Sequence, residues 1–129
     1  MNKRLLSLAC AAALSLGAGS CDRIPGTEAY AIREAERRVS SQLIDPASAV
    51  FSDVVAYGAQ HERVCGLVNG RNRMGGYAGP VRFVSAPSLT VIEPSGGDAE
   101  DYAEVCLFEA AVAFYCAEPL GPAIATAGC

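Results

Sequence analysis

The sequence predicts an α+β domain: an N-terminal helix, a three- to four-stranded antiparallel sheet and a C-terminal helix, stapled by disulfides. Three observations predict it. Apolar residues between 27 and 44 recur at three- and four-residue steps. Residues 49–93 hold short runs of β-branched and aromatic side chains separated by Gly and Pro. Residues 99–117 are rich in alanine and contain neither Gly nor Pro.

The first twenty residues stand outside this fold. Lys3 and Arg4 precede an uncharged, Leu- and Ala-rich run from Leu5 to Ala18, and Ala18-Gly19-Ser20 are all small. Charged, apolar and small segments in that order read as a secretory signal peptide, residues 1–20. The apolar run is 14 residues, short of the roughly 20 a permanent membrane-spanning helix needs. Ala18-Gly19-Ser20 fits ordinary signal peptidase. Ala18-Gly19-Ser20-Cys21 also resembles the bacterial lipobox, in which the cysteine becomes the acylated N-terminus. Ala18 stands where the lipobox usually has Leu. Cysteine parity favours lipidation. Beyond the signal lie Cys21, Cys65, Cys106, Cys116 and Cys129, and acylating Cys21 leaves four, an even set for two bonds in an oxidising space. The other reading is a soluble secreted or periplasmic protein with an unpaired thiol.

Cleavage before Cys21 leaves 109 residues, one domain small enough to gain from disulfides. Eight arginines then face fourteen acids, a net charge of −6, and no lysine remains. Such a chain is poorly suited to nucleic acid, where affinity comes from neutralising phosphates. It is equally poorly suited to anionic lipid surfaces. Membrane attachment would come from the lipid at Cys21.

Residues 21–26 form a tether, and the single domain runs from 27 to 129 with an irregular tail from 118. Thr27 is the expected N-cap of a helix over 27–44. Ala29, Ile32, Ala35, Val39 and Leu43 form its apolar stripe. Glu28, Glu34 and Glu36 lie toward its start and Arg33, Arg37 and Arg38 toward its end, which suits the helix dipole, and Glu34–Arg38 is a favourable four-residue pair. Asp45-Pro46 stops it. Strands are expected at 49–57, 63–69, 81–86 and 89–93. A hairpin loop at Gly58-Ala59-Gln60 joins the first two, a Gly- and Asn-rich connection over 69–79 the next two. After a turn at Pro94-Ser95-Gly96-Gly97, residues 99–117 are expected to form a largely buried helix opened by Asp98, Glu100, Asp101 and Glu104.

Four cysteines allow three pairings. In a helix over 99–117, Cys106 and Cys116 are about 15 Å apart along the axis, beyond the roughly 4.4–6.8 Å between Cα atoms that a disulfide requires. Two pairings remain: Cys65–Cys116 with Cys106–Cys129, or Cys65–Cys106 with Cys116–Cys129. No close C-x-x-C pair and a single histidine, His61, argue against zinc, and no metal or cofactor motif is present.

Two stretches carry a resemblance. Asp45-Pro46-Ala47-Ser48-Ala49-Val50-Phe51 and the run from Val64 to Gly79, VCGLVNGRNRMGGYAG, together resemble a group of small secreted bacterial proteins. That group carries D-P-x-S-A-x-F, then V-C-G-x-V-N-x-x-N-x-x-G-G-Y-x-G and a late cysteine, and has no assigned function. The resemblance spans Leu43 to Val84. It implies a secreted helix-plus-sheet domain and the Cys65–Cys116 pairing, and it supplies no activity.

The same run holds the candidate site. Arg71, Arg73 and Arg82 are the basic concentration of an acidic chain. With Asn69, Asn72 and Tyr77 they form a candidate site for an anionic or glycan ligand. The competing reading is structural, with the asparagines bonding backbone, the glycines supplying positive φ and Tyr77 anchoring the loop. Catalysis has less support. No nucleophile elbow or Lys-containing phosphate loop occurs, His61 reads as an exposed bystander in a hairpin, and Asp45 reads as a turn cap. The expected role is a non-enzymatic binding module for an envelope protein or cell-wall component, lipid-anchored on the periplasmic side of a bacterial membrane. The alternative is a periplasmic inhibitor of a hydrolase of the lysozyme type, and an enzyme of unknown chemistry is third.

Overall fold

A computed structural model describes residues 23–94 and 101–116. The signal peptide, Cys21, the 95–97 turn residues, the tail from 118 and Cys129 lie outside the described residues. Helix α1 spans Glu28–Ser40, a 3-10 turn follows at Pro46–Ser48, strands β1 to β4 span Val50–Tyr57, Arg63–Asn69, Val81–Ala86 and Leu89–Ile92, and helix α2 spans Asp101–Tyr115. The fold is α+β. Its sheet is an antiparallel meander in the order β1-β2-β3-β4.

Thr27 caps α1 as the sequence implies: its Oγ1 accepts the Tyr30 N–H at 3.2 Å, satisfying one of the donors a helix start leaves open. The helix ends earlier than 44. Beyond Ser40, Gln42 N–H and Leu43 N–H bond back only three residues, to Val39 and Ser40, so Leu43 reaches the core from a tightened turn. The buried stripe is centred on Ala35 and Val39, with Ala31 and Ile32 packed beside it; Ala29 is exposed. Glu34 binds Arg37 at 2.7 Å and Arg38 at 3.1 Å. The hydrogen bond from Arg37, reinforced by Arg38, pulls the Glu34 carboxyl down to about 2. Asp45 stands at the start of the 3-10 turn, where its backbone carbonyl, not its carboxylate, accepts the Ser48 bonds.

Successive strand residues point to opposite faces, and each face carries one helix. Val64, Val68 and Phe83 pack with Ala35 and Val39 of α1. Cys65 and Val84, their neighbours in sequence, pack with Phe108 of α2. Burial on both sides is why β2 and β3 read as continuous apolar runs rather than an alternation. Phe83 is 1% exposed and meets Phe51 edge to face at 5.7 Å; burying a side chain of this size contributes roughly 1.5–3 kcal/mol.

The β1–β2 ladder shifts register between Ser52 and Val55, where Asp53 adopts φ 51°. This bulge brings the Val54 backbone toward Gly66, whose Cβ, were one present, would stand 3.0 Å from Val54 Cα and 3.1 Å from the Phe83 ring. Gly66 suits that close approach.

α2 differs from its expected character. Phe108 and Ala111 are buried against the sheet, but Tyr102, Leu107 and Phe114 are 58%, 72% and 73% exposed. A sheet covers only one side of a helix laid on it, so among the described residues the other side of α2 is open. No helix among the described residues is long and apolar enough to cross a membrane.

Candidate functional site

The connection between β2 and β3 folds into a small secondary hairpin. Arg71 and Tyr77 form an isolated antiparallel bridge. Within it, Asn72 N–H bonds Gly76 O at 2.8 Å and Gly75 N–H bonds Asn72 O at 2.9 Å. The Asn72 Oδ1 accepts the N–H groups of Met74 and Gly76 at 2.9 and 3.1 Å, the side-chain mimicry of a turn that asparagine provides. Gly75 has φ +82°, a conformation costly for other residues. Asn69 Oδ1 closes the far side by accepting Gly79 N–H at 3.2 Å.

The base of the loop is clamped to the turn that follows α1. Ser48 is buried. Its Oγ donates to Asp45 O at 2.7 Å and accepts the Arg71 N–H at 2.9 Å. Its carbonyl accepts the Tyr77 hydroxyl at 3.2 Å. Its place between Asp45-Pro46 and Phe51 is the one local signal that the sequence gives for Ser48, whose loop partners lie 23 and 29 positions away.

These bonds sort the candidate ligands. The acceptor oxygens of Asn69 and Asn72 are spent inside the loop. Arg71, Arg73 and Tyr77 are exposed, and the Arg71 guanidinium lies over the Tyr77 ring, 5.6 Å from its centroid. Met74, 94% exposed, stands at the tip. The outward surface is therefore two cations, an aromatic ring and a thioether on a shaped backbone. That set suits an anionic, planar or apolar group.

Arg82 is placed elsewhere. It lies on the α2 face of β3, where its guanidinium binds Glu93 and Glu109, both at 2.5 Å, and sits 5.2 Å from the Phe108 ring centroid. The hydrogen bond from Arg82 holds the Glu93 carboxyl below its ordinary range, and the two carboxylates raise the Arg82 guanidinium further. Its charge ties β3, β4 and α2 together. Neither glutamate stood out in the sequence, since ion pairs across 11 and 27 positions follow no local spacing.

Cys65 and Cys116 are bonded, with Cα atoms 5.9 Å apart. Cys106 is also in a disulfide, so its partner is neither of these. His61, half-buried rather than fully exposed, has φ 56° and bonds Gly58 O at 3.1 Å through its backbone N–H. A shallow groove of about 670 Å³ beside α1 and β1 is lined by Arg23, Tyr30, Arg33, Glu36 and Phe51 among others. Burial there raises the Glu36 carboxyl, opposed by Arg33. Among the described residues no group of three or more His, Cys, Asp or Glu side chains is placed to hold a metal ion. No family model, curated protein or solved structure matches this chain.

Proposed function

We propose that this chain is an exported envelope protein, acylated at Cys21 on the periplasmic side of a bacterial membrane, that acts as a non-enzymatic binding module through the 69–79 loop. One observation carries the loop assignment: its hydrogen-bond acceptors turn inward while Arg71, Arg73, Met74 and Tyr77 face outward. A loop already held in shape loses little conformational freedom on binding, and its cations select an anionic partner or cell-wall glycan over nucleic acid, which the net charge disfavours. The disulfide fits an oxidising compartment.

The test is equilibrium binding of the processed protein to purified cell-wall fragments and to envelope extract, beside an Arg71→Ala/Arg73→Ala control of unchanged thermal stability. The double substitution is expected to abolish capture; capture indifferent to it removes the loop from the reading. Mass spectrometry of membrane-extracted protein tests the anchor, with an acylated Cys21 as the expected N-terminus and a free one as the outcome against it.

The exposure of Met74 favours a second reading, a loop that enters the cleft of a lysozyme-type hydrolase. That reading expects stoichiometric inhibition, lost on Met74→Asp.

A further inference from the structure

Strand β1 is an edge of the sheet. Among the described residues it has one neighbouring strand, β2, so its outer side presents backbone N–H and C=O groups without a ladder. The opposite edge is managed differently. β4 has only four residues, and α1 reaches over to it, Gln42 Nε2 donating to Thr90 O at 2.9 Å. β1 is eight residues long and carries one charge, Asp53. The bulge between Ser52 and Val55 breaks up the second half of this edge. Residues 50–52 before it are regular.

The groove between α1 and β1 opens onto that regular stretch. Half-buried Ala49 and Phe51 line it from the β1 side, and Arg23, Tyr30, Arg33 and Arg37 line it from the other. Glu34 and Glu36 are there too, but Glu34 is shared between Arg37 at 2.7 Å and Arg38 at 3.1 Å. Positive charge is therefore in excess in this groove, within a chain of negative net charge. Phe51 belongs to the α1 face of the sheet, so Val50 points to the opposite face, where it is 55% exposed. A strand laid beside residues 50–52 matches its side chains to theirs face by face. Alternate residues would enter the groove among the arginines, and those between them would lie beside Val50.

We propose that this edge and groove take up a short extended peptide that alternates acidic and apolar residues. Its backbone is added to the sheet beside residues 50–52, and its carboxylates meet Arg23, Arg33 and Arg37. Main-chain pairing holds the segment, and the guanidinium groups select its charge. None of these arginines belongs to the 69–79 loop, so the two surfaces are tested apart.

The probe is a short fluorescein-labelled peptide of alternating Glu and Val, titrated with the processed protein and followed by fluorescence anisotropy. It is expected to bind, and the same peptide with Lys in place of Glu is expected not to. Arg23→Ala/Arg37→Ala, at two exposed positions, should weaken binding about tenfold or more. Successive N–H groups of a strand point to opposite edges, so methylating one alternate set of the peptide's nitrogens should abolish binding and methylating the other set should spare it. Amide exchange at residues 50–52 should slow several-fold in the complex. Equal binding of the Glu and Lys peptides, or equal effects of the two methylation patterns, overturns the proposal. Loss of binding in Arg71→Ala/Arg73→Ala but not in the groove variant moves the peptide to the loop and overturns it as well. So does a peptide-free dimer in sedimentation that protects the amides of residues 50–52, which would assign the edge to a second copy.

Discussion

Tyr77 donates its phenolic proton to the carbonyl of Ser48, 3.2 Å away and 29 residues earlier in the chain. With the Arg71 N–H on Ser48 Oγ, this contact seats the 69–79 loop on the turn after α1. Tyr77→Phe removes one hydrogen bond and is expected to cost about 1 kcal/mol. Ser48→Ala leaves the part-buried Arg71 N–H without its acceptor and is expected to cost about 1 kcal/mol. Urea titration measures both; midpoints unmoved by Ser48→Ala would show that the clamp carries no stability.

A methyl group at Gly66 would stand 3.0 Å from Val54 Cα and 3.1 Å from the Phe83 ring, beside the bulge at Asp53-Val54, so these neighbours would have to give by a few tenths of an ångström. Gly66→Ala forces backbone or the Phe83 ring aside, an overpacking expected to cost about 1–3 kcal/mol. Chemical denaturation reads the cost, and loss of the Phe51–Phe83 ring contact in NMR spectra would locate it. A neutral Gly66→Ala would mean that the bulge relaxes freely.

The Cys65–Cys116 bond joins positions 51 residues apart, which by loop-closure entropy stabilises the fold by about 4 kcal/mol. Replacing both cysteines by alanine should lower the denaturation midpoint by a matching amount. An unchanged midpoint under oxidising conditions would show that the bond contributes nothing.

Two glutamates on α1 give opposite pH dependences. Glu34, held down to about 2 by its hydrogen bond to Arg37, contributes stability that is present above its ordinary value of 4.5 and is lost as pH falls toward 2. Glu93, lowered by Arg82, has the same sign. Glu36 is raised by burial, so it opposes folding once ionised. Glu36→Gln should therefore raise the melting temperature at pH 7, with the gain shrinking as pH falls toward 4.5 and absent below it. Thermal scans across pH 2–7 test both; a Glu36→Gln gain that persists at pH 3 would point to a cause other than charge.

Strands β2 and β3 are legible in the sequence because their apolar runs are bounded by Gly, Asn and Pro, and α1 because its stripe and cap are local features. The bulge in β1 is not legible, since the left-handed Asp53 lies where the β1–β2 ladder shifts register, which depends on how β1 meets β2 rather than on its neighbours in sequence. The candidate loop is half legible. Its residue types mark a shaped, basic turn, but the same types allow Asn69 and Asn72 to face a ligand or the backbone, and which they face depends on where the loop closes.

By itself the sequence determined the element types, the helix that keeps Cys106 from Cys116, and the position of the basic loop, because each follows from spacing along one segment. Tertiary structure decided that the two helices lie on opposite faces of the sheet, that Arg82 serves Glu93 and Glu109 rather than the loop, and that Ser48 anchors Arg71 and Tyr77. Those are contacts between residues far apart in the chain, and only the packing of the whole sheet sets their distances.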